Sequence, residues 1–236
     1  MVAAAGVIQV TTSSEPHVEL PPPGSHLADG DIGMRVYSCA RLPARHGTFA
    51  LLVVRQEPHR LEHVVLVRGA VAGRQRVSTR VHSECLTGDA LGSLRCDCRD
   101  QLEMSLAALG GQEHGILLYM RQEGRGIGLG DKIRAYALQE AGLDTFAANR
   151  CLGFADDPRD WRPAALILRL LGVGSIVLLT NNPEKLRGLA EHGITIAGRQ
   201  GLEAESNPHN IDYLRAKVTC AGHALHLPAA AAERGE

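Results

Sequence analysis

The sequence predicts a mixed α/β protein: short antiparallel, barrel-like strands at the start, then an α/β half, in a single compact domain. Two observations carry this. Between residues 35 and 81, short β-branched runs at 50–54, 63–67 and 77–81 are separated by polar or Gly-bearing segments. After Cys98 the apolar spacing lengthens, and helical segments that stop at glycine alternate with short apolar runs.

In chain order, residues 1–28 are rich in Ala, Ser, Thr and Pro, include Pro21, Pro22 and Pro23, and read as a mobile tail. Leu102, Leu106 and Leu109 fall at i, i+4, i+7 and predict a helix ending at Gly110 and Gly111, with a strand over 115–119 behind it. A second helix over 131–140 stops at Gly142, and a third over 162–171 stops at Gly172 before a strand at 175–179. Asn182 and Pro183 read as the cap and first residue of a helix that closes at Gly193, followed by a strand at 194–197 and a last helix over 210–220. The domain is expected over 29–220, with a frayed tail at 221–236.

Composition narrows the function. A formal charge of −1 gives no overall field that would hold a nucleic acid, while local basic clusters can still hold a small phosphate. The N-terminal segment lacks the pattern of a secretory signal, and no apolar run reaches about 18 residues, so a cytoplasmic protein without a membrane span is expected. Six cysteines, three of them between 85 and 98, suit a metal site in a reducing compartment better than a disulfide framework. Cys39, Cys151 and Cys220 read as small buried hydrophobes.

Cys85, Cys96 and Cys98 form C-x10-C-x-C. In an extended segment residues i and i+2 point the same way, so Cys96 and Cys98 can share one ion that Cys85 closes from across a loop. Thiolates favour zinc, and three protein ligands leave a position for water, as at a catalytic site. His82 and Glu84 flank the cluster and are candidates either for acid–base work or for closing a structural site.

Three further motifs are consistent with a nucleotide. RQEGRGIGLG over 121–130 combines glycines that permit close backbone approach with Arg121 and Arg125, and Lys132 and Arg134 follow. In DDPRD over 156–160, Asp157 and Arg159 can serve a magnesium ion and phosphate oxygens, or the run can simply be acids at a helix start. TNNPEK over 180–185 follows an apolar strand and opens a helix, where α/β proteins present binding loops; Thr180 and Lys185 can both reach a ligand there.

Taken together, RVHSECLTGD over 80–89, RCDC over 95–98, RQEGR over 121–125, KIRAY over 132–136, LGF over 152–154 and TNNP over 180–183 closely resemble the GTP cyclohydrolase II family, from about residue 35 to 217. The resemblance implies hydrolysis of GTP at C8 of guanine, giving a 2,5-diamino-6-ribosylamino-pyrimidinone 5′-phosphate, formate and pyrophosphate as the first step towards riboflavin. It implies one zinc ion per chain on Cys85, Cys96 and Cys98, magnesium with the GTP phosphates, and a homodimer. By position it implies GTP contacts from Arg80, Val81, His82, Ser83, Glu84, Gln101, Glu123, Gly124, Arg125, Thr145, Thr180 and Lys185. It also implies Asp157 as proton acceptor, Arg159 as nucleophile towards the α-phosphate, and Tyr136 near the reacting base. A guanidinium is almost never neutral, so charge stabilisation at phosphate fits Arg159 at least as well.

The chain departs from the family pattern at Arg99, where glycine is common, and at Gly130 and Asp131, where an apolar residue and Asn are usual. Met120 offers no hydrogen-bond donor: facing the ring it would fail to orient a second water, and the reaction would stop at the formylated nucleotide; otherwise it packs beneath the strand end. A non-catalytic zinc-stabilised binding module is the remaining reading and requires a fourth metal ligand.

Overall fold

The computed structural model describes residues 8–12, 15–143, 145–155 and 159–228, with side chains from Leu20 onward except those of Thr145 and Phe146. A hairpin of β1 (Ile8–Thr12) and β2 (Glu15–Leu20) precedes an eight-stranded mixed sheet. The sheet comprises β3 (His26–Asp29), β4 (Ile32–Ala44), β5 (Gly47–Glu57), β6 (Leu61–Arg68), β7 (Val77–Ser83), β8 (Gly115–Met120), β9 (Ile176–Leu179) and β10 (Ile196–Gln200), in the order β10-β9-β7-β8-β6-β5-β4-β3. The helices are α1 (Leu86–Asp89), α2 (Cys98–Gly110), α3 (Leu129–Glu140), α4 (Thr145–Cys151), α5 (Arg162–Leu170), α6 (Pro183–Glu191) and α7 (Ile211–Ala221).

Neighbours from β3 to β6 are antiparallel, β8 is antiparallel to β6 and parallel to β7, and β9 and β10 continue in parallel. The antiparallel start and α/β second half are as expected. Because β6 pairs on its second edge with β8, the antiparallel strands form one wing of the sheet, with β3 at its edge.

Strand alternation gives the sheet two faces. On one, Met34, Val36, Leu52, Val54, Val65 and Val67 pack with the apolar side of α5, from Ala164 to Leu168, and with Leu189 of α6. On the other, Phe49, Leu66 and Leu117 pack with Leu102, Leu106 and Leu109 of α2, the stripe the sequence predicts. Asn182 caps α6 by accepting the Glu184 N–H at 2.9 Å, and Pro163 stands in the first turn of α5.

Parts of the expected tails pack on the domain, while residues 1–7 and 229–236 lie outside what is described. Leu20, just before the three prolines, is 2 % exposed within the main core, and beyond them His26–Asp29 pairs with β4. After α7, the Ala224 N–H donates to Asn181 O at 3.0 Å and His226 bonds Glu203, which ties 222–228 to the domain. No described helix is long and apolar enough to cross a membrane.

Candidate active site

The site begins on β7. Val77 and Val81 point into the core, so Arg80 and His82 emerge on the opposite face. Arg80 is buried, donates from Nη1 to Leu179 O at 2.9 Å and from Nη2 to Gln101 Oε1 at 2.6 Å, and is pulled down to about 10 by burial. His82 is buried and stacks on Tyr119, its Nε2 lying 3.2 Å from both oxygens of Asp89; burial holds it below the ordinary histidine range against the pull of that carboxylate. Val81 reaches the site only through its backbone, whose carbonyl accepts Lys185 Nζ at 2.7 Å.

Beyond β7 the chain turns into α1. Asp89 organises this turn by accepting the Cys85 N–H at 3.0 Å and the Tyr119 hydroxyl at 2.8 Å. The sulfurs of Cys85, Cys96 and Cys98 lie within 4.8 Å of one another, and Cys85 Sγ is 3.7 Å from Cys96 Sγ. A Cβ on Gly88 would stand 2.8 Å from Cys96 Sγ and 3.2 Å from Cys85 Sγ, so glycine is what lets the thiols converge. Bonds from Cys96 and Cys98, with a weaker one from Lys132 Nζ at 3.1 Å, hold Cys85 far below the ordinary thiol range. Cys96 is pushed up to about 11, and Cys98 is also held well above the ordinary thiol range, both chiefly by Cys85.

All three sulfurs can be thiolates together only where a divalent cation offsets their charge, and this donor set fits zinc. Among the described residues no fourth His, Cys, Asp or Glu joins the cluster. His82 is turned to Asp89, and Glu84 accepts Arg121 Nε at 2.7 Å. Three protein ligands leave one coordination position for water or substrate.

The glycine-rich loop closes one side. Gly124 and Arg125 both adopt left-handed backbone, at φ 61° and 63°, and a Cβ on Gly124 would stand 3.0 Å from Ile127 and 3.1 Å from Lys132. For Arg125 this conformation carries a modest cost of the kind concentrated at binding sites. Glu123 accepts Lys132 Nζ at 2.7 Å, Gly124 N–H at 2.9 Å and Leu86 N–H at 2.6 Å, fastening the loop to the metal-binding turn. Burial works against the charge of Lys132, yet Glu123 and Cys85 hold it above the ordinary lysine range. Tyr136, on α3, lines the same cleft with Arg95 4.8 Å over its ring, and burial raises its phenol.

Arg80, His82, Ser83, Glu84, Gln101, Glu123, Gly124, Arg125, Tyr136, Arg159, Thr180 and Lys185 all line one cleft with the three cysteines. Arg159 Nη1 donates to Ser83 Oγ at 3.4 Å and its guanidinium lies over Trp161. Thr180 spends its hydroxyl on the Asn182 N–H at 3.0 Å, so it shapes the loop as well as lining the cleft. Asp157 and the side chain of Thr145 lie outside what is described. Met120 does not face the cleft: it is fully buried among the core residues with Leu118 and Ile116, because Tyr119 takes the opposite face of β8.

Sequence reasoning missed Tyr213, Lys217 and His223, which α7 and the segment after it bring into the cleft, and Asn149 from α4. A signal existed for Lys217: it sits three residues after buried Leu214, on the apolar side of its helix. Among the described residues, Arg80, Arg95, Arg125, Lys132, Arg159, Lys185 and Lys217 bring seven cationic side chains to the cleft against the carboxylates of Glu84 and Glu123. Four buried side-chain polar atoms among the described residues lack partners, and two of them, Arg80 Nε and His82 Nδ1, belong to cleft residues. The cleft thus suits a polyanion with polar edges beside a three-cysteine cluster that fits a metal ion.

A model of the GTP cyclohydrolase II family matches residues 35–201. The GTP cyclohydrolase-2 of Picrophilus torridus is 50% identical over 187 residues, covering 79% of this chain and 97% of that protein. The GTP cyclohydrolase-2 of Escherichia coli O9:H4 is 51% identical over 187 residues, 79% of this chain and 95% of that one. The riboflavin biosynthesis protein RibBA of Bacillus subtilis is 50% identical over 187 residues, but the match spans only 47% of its length.

Proposed function

The chain belongs to the GTP cyclohydrolase II family, and on that premise we propose that it opens the imidazole ring of GTP at C8 and releases formate and pyrophosphate. The remaining product is 2,5-diamino-6-ribosylamino-4(3H)-pyrimidinone 5′-phosphate, and the reaction is the first step of riboflavin synthesis. The observation that carries this reading is the three-cysteine cluster, with no fourth His, Cys, Asp or Glu joining it among the described residues, in the wall of a cationic cleft. Zinc held by the three thiolates would supply a Lewis acid that makes water acidic enough to attack near neutral pH.

The protein's own groups do the rest. Arg125, Arg159 and Lys185 bind the triphosphate together with magnesium, and Arg159 stabilises charge at the α-phosphate when pyrophosphate leaves. Arg80, Gln101 and His82 present hydrogen-bonding edges, with Ser83, Glu84, Glu123, Gly124, Thr145 and Thr180 completing the GTP contacts. Asp157 accepts a proton during ring hydrolysis. Tyr136 carries the hydroxyl that Met120 lacks and orients water at the opened ring. The burial of Met120 removes the motive for a product that stops at the formyl stage. The enzyme works in the cytoplasm as a homodimer.

The test is to incubate zinc-loaded protein with GTP and magnesium and to follow formate, pyrophosphate and the base-derived product by chromatography and mass spectrometry. Formate and the diaminopyrimidinone in equal amounts are expected. Accumulation of a formylated nucleotide would overturn the second hydrolysis, and unconsumed GTP would overturn the whole reading.

A further inference from the structure

Asp97 stands between two of the clustered cysteines and at the N-cap of α2, where a carboxylate ordinarily accepts a helix N–H. It makes no such bond. Its oxygens are taken instead by Gln101 Nε2 at 2.6 Å and by Lys217 Nζ at 2.5 Å. Lys217 comes from α7, 120 positions further along the chain and beyond residue 201, where the family match ends. The side chains of the pair are 8 % and 2 % exposed. A buried ion pair loses so much solvation that its net contribution to stability is often small, and fixing one geometry is the role it can serve. The contacts continue from Gln101 to Arg80 and from Arg80 to the end of β9. One connected polar set thus joins α7, the Cys96–Cys98 turn, α2 and two parallel strands.

Resting on the reading of this site as a zinc-dependent hydrolase, we propose that Lys217 is a positioning residue for the metal centre. Through Asp97 it fixes the turn that presents Cys96 and Cys98, which makes α7 a working part of the site. Outer contacts of this kind change metal affinity or activity by about 10–100-fold when removed.

The experiment compares full-length Lys217→Met, Lys217→Arg and Arg215→Ala with the unaltered protein. For Lys217→Met, kcat for GTP falls about 10–100-fold, and cobalt(II) loaded alone binds about 10-fold more weakly with a shifted thiolate-to-metal absorption band. Lys217→Arg keeps the charge and recovers most of both readouts. Arg215→Ala, on the solvent side of α7, matches the unaltered protein. Unaltered values in either readout for folded Lys217→Met overturn the proposal. If the lone buried carboxylate unfolds that variant, the double change Asp97→Asn with Lys217→Met leaves neither charge and decides in its place. Lowered kcat with an altered cobalt spectrum upholds the proposal, and unaltered values overturn it. Failure of the unaltered protein to consume GTP defeats the hydrolase reading, and the cobalt spectra then judge Lys217 independently.

Discussion

The two wings of the sheet use the same alternation to different ends. In the antiparallel wing, β4 and β5 send Met34, Val36, Leu52 and Val54 into the core, and none of these strands contributes a residue to the cleft. In the parallel wing, β7 sends Val77 and Val81 into the same core but sets Arg80 and His82 on the other face. The connections explain the contrast. Adjacent antiparallel strands are joined by short turns, whereas parallel strands require crossovers, and those leaving β7, β8 and β9 open at the strands' C-terminal ends. The cysteine turn, the glycine-rich loop and the Thr180–Lys185 loop all lie there. The antiparallel wing supplies rigidity and the parallel wing supplies chemistry.

The sharpest way to break this division is Cys96→Ser. It is expected to abolish metal retention and GTP turnover while leaving the circular dichroism of the sheet intact; a variant that keeps its metal and its rate would place the chemistry elsewhere. The converse is Leu52→Ala in the antiparallel wing. Opening a cavity at this fully buried leucine should lower unfolding free energy by about 2–5 kcal/mol in urea titrations, with kcat unchanged wherever the protein remains folded. A fall in kcat would mean that the wings are coupled.

Gly88→Ala sharpens the comparison within the parallel wing. The new methyl would meet Cys96 Sγ at 2.8 Å, so metal affinity measured by chelator competition should fall about 10–100-fold. Unaltered affinity would show that the turn yields without cost. The smallest effect falls on His63, where the antiparallel wing supports the site: its Nδ1 accepts the Arg121 N–H at 3.1 Å and its Nε2 faces Gln56 Oε1. Burial first, and Arg121 second, pull this imidazole down to about 4. Because the unfolded chain takes up the proton near pH 6.5, stability is complete above that pH and is lost as pH falls towards 4, by roughly 2–3 kcal/mol from this group. Urea midpoints at pH 7.5 and 4.5 should therefore differ more in the unaltered protein than in His63→Gln, and equal differences would remove His63 from the account.

Much of both wings was legible in the sequence because local pattern decides it. The Leu102, Leu106, Leu109 stripe, the Asn182 cap and the apolar strands at 63–67 and 115–119 all fall inside observed elements. α4 was missed because its stretch from Thr145 to Cys151 has no apolar stripe, and β3 because it follows a proline-rich run. The cysteines, Arg80 and the loop motifs were readable since each cluster is contiguous in the chain. Lys217, Tyr213 and His223 were not, because they join the cleft only when α7 packs across the site. Met120 could have been placed by counting in twos from buried Leu118.

The central claim is that the ion held by Cys85, Cys96 and Cys98 drives ring opening in the cleft of the parallel wing. Its most direct test is to strip the metal with a chelator, return zinc in measured fractions, and record the rate of GTP consumption against zinc bound. The account predicts no turnover without metal and a linear rise that levels off at about one zinc per chain. Turnover by the metal-free protein, or a rate indifferent to zinc, would contradict it.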